Sequence, residues 1–313
     1  MKKIFLNLVI IACLAVFAVC AYQLAQYFYG NIESEKQFDK QRDMVADISE
    51  FDKRLPKYQE MKKQNSDFEG WIIADGTNVN YPVVQTVNDT EYYLYRDFQG
   101  NYSKPGTIFL SNVADLYKPS DVVTVFGHNM KDGTMFGSVR RYEDKQFLEE
   151  HDSIWIDSLE GRRKFKVTHV MKIRVDVVGQ DDVFPYYNYS NFIDKSDFKQ
   201  FIKQCNAHSI YDTGRTVKYG DKFVILSTCE YSYDDGSGRL VVMGKEIKPR
   251  SKDGGKSEEA ADVTMPEITK PMMGTYVMIG IGVAGLLIII MLITWIVRSF
   301  TRKSGSTKQQ KRQ

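Results

Sequence analysis

Residues 222–246, KFVILSTCEYSYDDGSGRLVVMGKE, decide how the chain is read. Two runs of aliphatic and β-branched residues, 222–226 and 239–245, read as strands, and the Gly-, Asp- and Ser-rich segment between them reads as a loop. The first run continues through Ser227 and Thr228 to Cys229, so this cysteine is expected at a strand end with polar neighbours on both sides. Arg239 opens the second run directly after the loop at 231–238.

Outward from this stretch the same texture recurs. Residues 71–73, 79–84, 107–110, 122–126, 153–156 and 164–178 are short runs rich in β-branched and aromatic residues, separated by Gly, Asn, Asp and Pro. About eight strands in one domain argue for a closed or nearly closed barrel, so the fold class is mainly β with helices. Helical spacing appears at 135–150 and at 195–206, the second opened by Asp194-Lys195-Ser196-Asp197, good N-terminal chemistry. Residues 33–67 are charged, lack glycine and place Phe38, Val45, Ile48, Leu55 and Tyr58 at roughly helical spacing, which predicts one or two amphipathic helices before the first strand.

The 313-residue chain has two apolar runs, 4–22 and 272–297. Each is long enough to cross most of a hydrocarbon layer roughly 30 Å thick. A cleaved signal peptide competes for the first run, and Ile10-Ile11-Ala12-Cys13 superficially resembles a lipoprotein processing site, but the run continues past Cys13 and an uncleaved anchor is the reading adopted. Lys2 and Lys3 precede the first run, while Arg298, Arg302, Lys303, Lys308, Lys311 and Arg312 follow the second. Positive flanks stay inside, so two spans are expected in the cell membrane, with both termini cytoplasmic and the middle domain extracellular. The divisions are an anchor at 1–29, a helical lead-in at 30–69, the main folded domain at 70–247, a linker at 248–271, a second span at 272–297 and a basic tail at 298–313. A hydrophobic fraction of 43%, both runs included, excludes a polytopic transporter or channel. Forty-two basic against forty acidic residues, interspersed, leave a net charge of +2 and no electrostatic footprint for nucleic acid.

The chemistry-bearing residues are individually ordinary. Cys229 reads as a buried inert thiol or a strand-end nucleophile; Cys205, in a helical context, reads as the inert case, and a disulfide between the two is an open alternative. His128 ends a strand after Phe126-Gly127, a setting that His151, His169 and His208 lack, and imidazole suits moving a thiol proton to an amine leaving group. Arg239 is either a solvated strand end or a fixed donor for an oxyanion. There is no metal-ligand cluster and no phosphate loop, so neither metal nor cofactor is expected; Asp234-Asp235-Gly236 has too few ligands for calcium and reads as a solvated turn.

Two segments change this balance. FGHNMKDGTMFGSV (126–139) and LSTCEYSYDDGSGRLVV (226–242) resemble sortases, specifically class B, the cysteine transpeptidases of Gram-positive bacteria. The family's T-L-x-T-C core stands here with Ile225 for its first Thr, and its Arg follows ten residues after the Cys. GWI at 70–72, YPVVQ at 81–85 and YYLYRDFQGNYSKPGTIF at 92–109 extend the resemblance over about 70–247. It implies an eight-stranded sortase β-barrel with N-terminal helices and a helix before the Cys strand, here flanked by two transmembrane helices. It implies Cys229 as nucleophile, His128 as acid/base and Arg239 as transition-state stabiliser, with Ser227, Glu230, Leu94 and Tyr187 as contacts to the sorting peptide.

The resemblance also implies partners: sorting-signal-bearing surface proteins or pilins as donors, and a peptidoglycan-precursor amine or pilin lysine as acceptor. The C-terminal span departs from the class B pattern and is familiar among pilus-building class C sortases, whose lid motif is absent from this sequence. The leading reading is a membrane-tethered transpeptidase; a hydrolytic cysteine protease using the same residues and a catalytically silent surface scaffold are the alternatives.

Overall fold

The computed structural model describes residues 2–45, 51–118, 120–175, 183–231 and 236–247. Within them, β1 (Phe68–Ala74), β2 (Asn80–Val84), β3 (Ile108–Leu110), β4 (Val122–Phe126), β5 (Ser153–Ser158), β6 (Arg162–Arg174), β7 (Phe223–Cys229) and β8 (Gly238–Glu246) close a barrel in the order β1-β2-β3-β4-β7-β8-β6-β5. The pairs β2–β3 and β4–β7 are parallel and the rest antiparallel. The eight expected strands are therefore present, displaced at their ends by a few residues.

Period-two alternation sorts the strand residues between inside and outside. Val224 and Leu226 of β7, with Leu240 and Val242 of β8, fill the barrel core. Their neighbours Phe223, Ile225, Val241 and Met243 face outward, yet they are buried because α4 (Lys195–His208) lies over them with Phe198, Phe201 and Cys205. This is why β7 reads as a nearly continuous apolar run and not as a clean alternation. Asp194 caps α4 as its sequence predicts, accepting from the Ser196 and Asp197 backbone N–H groups.

A second outer face is covered by α2 (Phe51–Gln64), whose Tyr58 and Met61 pack with Phe68, Trp71 and Ile73 of β1. One buried carboxylate anchors it. Asp157 of β5 accepts from the Tyr58 hydroxyl at 2.7 Å and from Arg162 Nε and Nη2 at 2.6 and 2.8 Å, with the fully buried Arg54 Nη1 3.6 Å away. Several donors around one desolvated charge are what make such burial tolerable.

Two helical expectations change. Residues 135–150 form two pieces, a 3-10 helix Gly137–Glu143 and α3 (Lys145–Glu150), because the Asp144 side chain caps the second piece by accepting from Gln146 N. Residues 33–67 form α2 and the end of a much longer helix, α1 (Lys2–Asp43), which runs unbroken through the boundary expected near residue 30. Gly30 costs a helix about 1 kcal/mol relative to alanine but does not end it. The strand expected at 164–178 stops at Arg174, and its last residues lie outside the described ones.

The flanking membrane spans are not part of the fold as described: among the described residues, no helix is long and apolar enough to cross a membrane. Residues 272–297, the linker, the basic tail and Asp234-Asp235 lie outside the described residues, as do many side chains of the first apolar run.

Candidate functional site

The pairing of β4, β7 and β8 brings the three predicted residues together. In the parallel β4–β7 ladder the last pair is Phe126 opposite Ser227, and continuing that register two residues past the end of β4 brings His128 level with Cys229. In the antiparallel β7–β8 ladder Cys229 stands directly opposite Arg239. The Glu230 N–H donates to Gly238 O at 3.0 Å. This makes Cys229–Arg239 a non-hydrogen-bonded pair, the closer of the two pair types in an antiparallel ladder, with Cα atoms typically about 4.5 Å apart. His128, Cys229 and Arg239 thus form one row across three neighbouring strands, on the outer face that Ile225 and Ser227 share.

The β4 end is stitched to β7 on both sides of His128. Gly127 N donates to Ser227 O (3.2 Å), Thr228 Oγ1 donates to Gly127 O (2.7 Å), and Asn129 Nδ2 donates to Cys229 O (2.7 Å). Gly127 is required for steric reasons, since a Cβ there would sit 2.5 Å from Ile108 Cδ1 and 2.8 Å from Phe136 Cγ. His128 Nε2 lies 2.7 Å from Leu94 O. A carbonyl only accepts, so Nε2 carries the proton and Nδ1 is the basic nitrogen. Gly106, at φ +64°, lets the chain pass behind that carbonyl, where a Cβ would lie 2.3 Å from Leu94 O. Tyr95 packs on the imidazole at 5.1 Å.

Burial lowers the His128 pKa, an effect to which Lys104 adds and which the Leu94 carbonyl opposes. The ring is therefore neutral near pH 7. Arg239 Nη1 donates to Gly236 O and Gly238 O, both at 2.9 Å, which holds the guanidinium against the turn leading into β8. Cys229 is a free, partly exposed thiol. Cys205 is also free but wholly buried under α4, where desolvation pushes its pKa up, so it is the inert thiol of the two.

The four expected peptide contacts separate. Glu230 borders a pocket of about 140 Å³ beside Cys229, together with Asn129, Arg140, Glu143, Lys172, Tyr231 and Leu240. Lys172 bridges Glu143 (2.9 Å) and Glu230 (3.5 Å) there. Ser227 is 1% exposed, and its Oγ is 2.5 Å from the buried Tyr186 Oη, so its hydroxyl is covered and not presented at the surface. Leu94 packs against the aromatic cluster under β1 and reaches His128 through its carbonyl. Tyr187 is half-buried beside Tyr186, at 5.6 Å between rings.

Asn129, Tyr186, Glu143 and Lys172 were missed as site residues. Lys172 did leave a signal, a charge between Met171 and Ile173 where a buried strand would carry none. Asn129 and Tyr186 carry their meaning only through partners 100 and 41 residues away.

A thiol with a neutral base and a fixed cation in its own row is equipped for acyl transfer through a thioester, the chemistry of cysteine acyltransferases. Comparison with known proteins places the chain more narrowly. The sortase-domain family model matches residues 72–247. Sortase B of Staphylococcus aureus is 27% identical over 248 residues, covering 79% of this chain and 98% of that protein. Sortase B of Listeria monocytogenes is 29% identical over 190 residues, covering 60% and 73% respectively. The solved Staphylococcus aureus sortase B–substrate complex superposes with a TM-score of 0.61 at 26% identity, over 70% of this chain and 98% of that one. The chain belongs to the sortase family, as a class B sortase-type cysteine transpeptidase.

The histidines yield a pH prediction. His128 and His169 are both held below the ordinary value near 6.5, by burial above all. Between their folded values and about 6.5 the unfolded chain binds more protons, so stability is complete above that window and is lost as pH falls through it. Urea midpoints measured from pH 8 to pH 5 should fall on acidification, and the His128→Gln/His169→Gln double variant should flatten that fall. An equally steep fall in the double variant would contradict the assignment.

Proposed function

We propose that the protein is a membrane-tethered class B sortase that cleaves the sorting signals of surface proteins and transfers the acyl group to a cell-wall or pilin amine. The observation that carries the catalytic reading is the His128–Cys229–Arg239 row across β4, β7 and β8. The Cys229 thiol gives its proton to His128 Nδ1, and sulfur attacks the threonyl carbonyl of the signal. Arg239 stabilises the oxyanion; its Nη1 is already fixed, and among the described residues no acceptor occupies Nε or Nη2. The departing amine takes the proton from the imidazolium, leaving a thioester on Cys229. An incoming amine attacks that thioester, its proton passes to His128, and the thiol is restored as the amide forms.

The amine acceptor is assigned to the pocket beside Cys229, which Glu143 and Glu230 line with Lys172 between them. Leu94, whose carbonyl meets His128, and Tyr187, beside Tyr186, are assigned to the peptide groove, and the class B character favours a signal resembling Asn-Pro-x-Thr-x over the Leu-Pro-x-Thr-Gly type. Membrane tethering rests on the sequence charges and on α1, where Ile4, Ile11, Val16, Val19 and Tyr22 are all more than half exposed. Apolar side chains in that number along one helix need a cover other than water.

Incubation with both peptide types, with and without a cell-wall-like peptide amine or a lysine peptide, should give an amine adduct by mass, preferentially from the Asn-Pro peptide. Cys229→Ala should abolish the thioester and Cys205→Ala should leave it; Arg239→Lys should slow its formation roughly 100- to 1,000-fold, as loss of an oxyanion donor does. Free acid under every condition would favour the hydrolytic protease, and a preference for the Leu-Pro peptide would remove the specificity reading.

Protease added to intact, wall-stripped cells should digest the middle domain and spare tags on both termini. A digested C-terminal tag would refute the two-span topology.

A further inference from the structure

The turn that follows His128 is shaped from outside the site. Met135 is the one non-glycine residue with positive φ, 52°, among the described residues, and it is wholly buried. This backbone is disfavoured for a side-chain-bearing residue and persists only where its surroundings enforce it. Met135 forms an isolated bridge with Asn129, and the next residue, Phe136, donates its N–H to His128 O at 2.9 Å. The same Phe136 ring packs against Gly127 on the other side of His128. The conformation of Met135 therefore determines where the His128 peptide is gripped.

The Met135 N–H is buried, and its partner comes from another strand: it donates to the Tyr81 hydroxyl at 3.1 Å. Tyr81, on β2, is 1% exposed and is itself held by α1. Phe38 meets the Tyr81 ring edge-on at 5.3 Å, and the Arg42 guanidinium carbon lies 5.0 Å from the ring centroid. Arg42 is 4% exposed and is fixed in turn by Glu35 and Asp39 of the same helix. A contiguous set of contacts thus runs from α1 through one phenol to the backbone that holds the imidazole.

We propose that Tyr81 is a positioning residue for His128, and that the docked end of α1 completes the active site as well as leading towards the membrane. The proposal rests on His128 being the acid/base. It assigns Tyr81 no contact with substrate. Without the hydroxyl, the Met135 N–H loses its partner, the left-handed turn relaxes, and the imidazole no longer keeps one position beside Cys229.

The test uses the full chain and Tyr81→Phe, which keeps the ring that Phe38 and Arg42 pack against. Thioester formation should show kcat lowered about ten- to a hundredfold, the scale on which misplacing a catalytic group acts, with KM for the sorting peptide within about twofold of the parent. Met135→Gly in the Tyr81→Phe background should recover most of that loss, because glycine adopts positive φ without enforcement. Tyr58→Phe is the structural control: it removes another buried hydroxyl bond, to Asp157, and should lower the thermal midpoint while leaving kcat unchanged.

The His128 ring signals, followed by NMR of histidine-labelled protein, should change from one set to broadened or doubled sets in Tyr81→Phe. That readout is independent of turnover. Moved His128 signals with no thioester in any protein, parent included, would sustain the positioning and sink the function. Unmoved signals with unchanged kcat, a loss no greater than that of Tyr58→Phe, or no recovery with Met135→Gly would overturn the positioning.

Discussion

The register of the parallel β4–β7 pair is the constraint on which the rest depends. A slip of one residue in that ladder would turn the side chain level with Cys229 from His128 to Gly127 or Asn129, and would send the strand's apolar residues to the wrong face. The slip is opposed from both faces at once. Val224 and Leu226 are fixed in the barrel core, while Phe223 and Ile225 are fixed beneath α4. Thr228, Asn129 and the Gly127 peptide continue the pairing with hydrogen bonds out to His128 and Cys229.

The outer layers serve that register. The α4 helix follows the segment carrying Tyr186, whose hydroxyl meets Ser227 two residues before Cys229, so the covering layer is tied to β7 by a buried polar contact as well as by packing. The α2 helix is tied to β5 by the Asp157 cluster. The end of α1 is tied to β2 through Tyr81, one hydrogen bond from the turn after His128. The contact of α1 with Tyr81 gives this helix a structural stake in the site.

Much of this was legible in the sequence because it is local. Strand runs, the Asp194 cap and the strand-end settings of His128, Cys229 and Arg239 depend on neighbours a few residues away, and the GHN and STC segments reinforced them. Residues whose roles depend on distant partners were not legible. The resemblance implied Ser227 as a peptide contact, but its hydroxyl is buried against Tyr186, 41 residues away in sequence. The helical spacing at 135–150 concealed Asp144 as a cap that divides it, and nothing at Met135 announces a left-handed backbone held by a tyrosine 54 residues earlier. The unbroken passage of α1 through Gly30 was hidden by the change in polarity there.

The central claim is that His128 and Arg239 act on Cys229 as one unit because one row of paired strands holds them. A double-mutant cycle on single-turnover thioester formation, with His128→Ala, Arg239→Ala and the combined variant, tests it most directly. Residues that work as a unit lose most of their effect with the first removal, so the combined variant should be little slower than the worse single one. Losses that multiply in the combined variant would mean that the two side chains act independently, and would contradict the account.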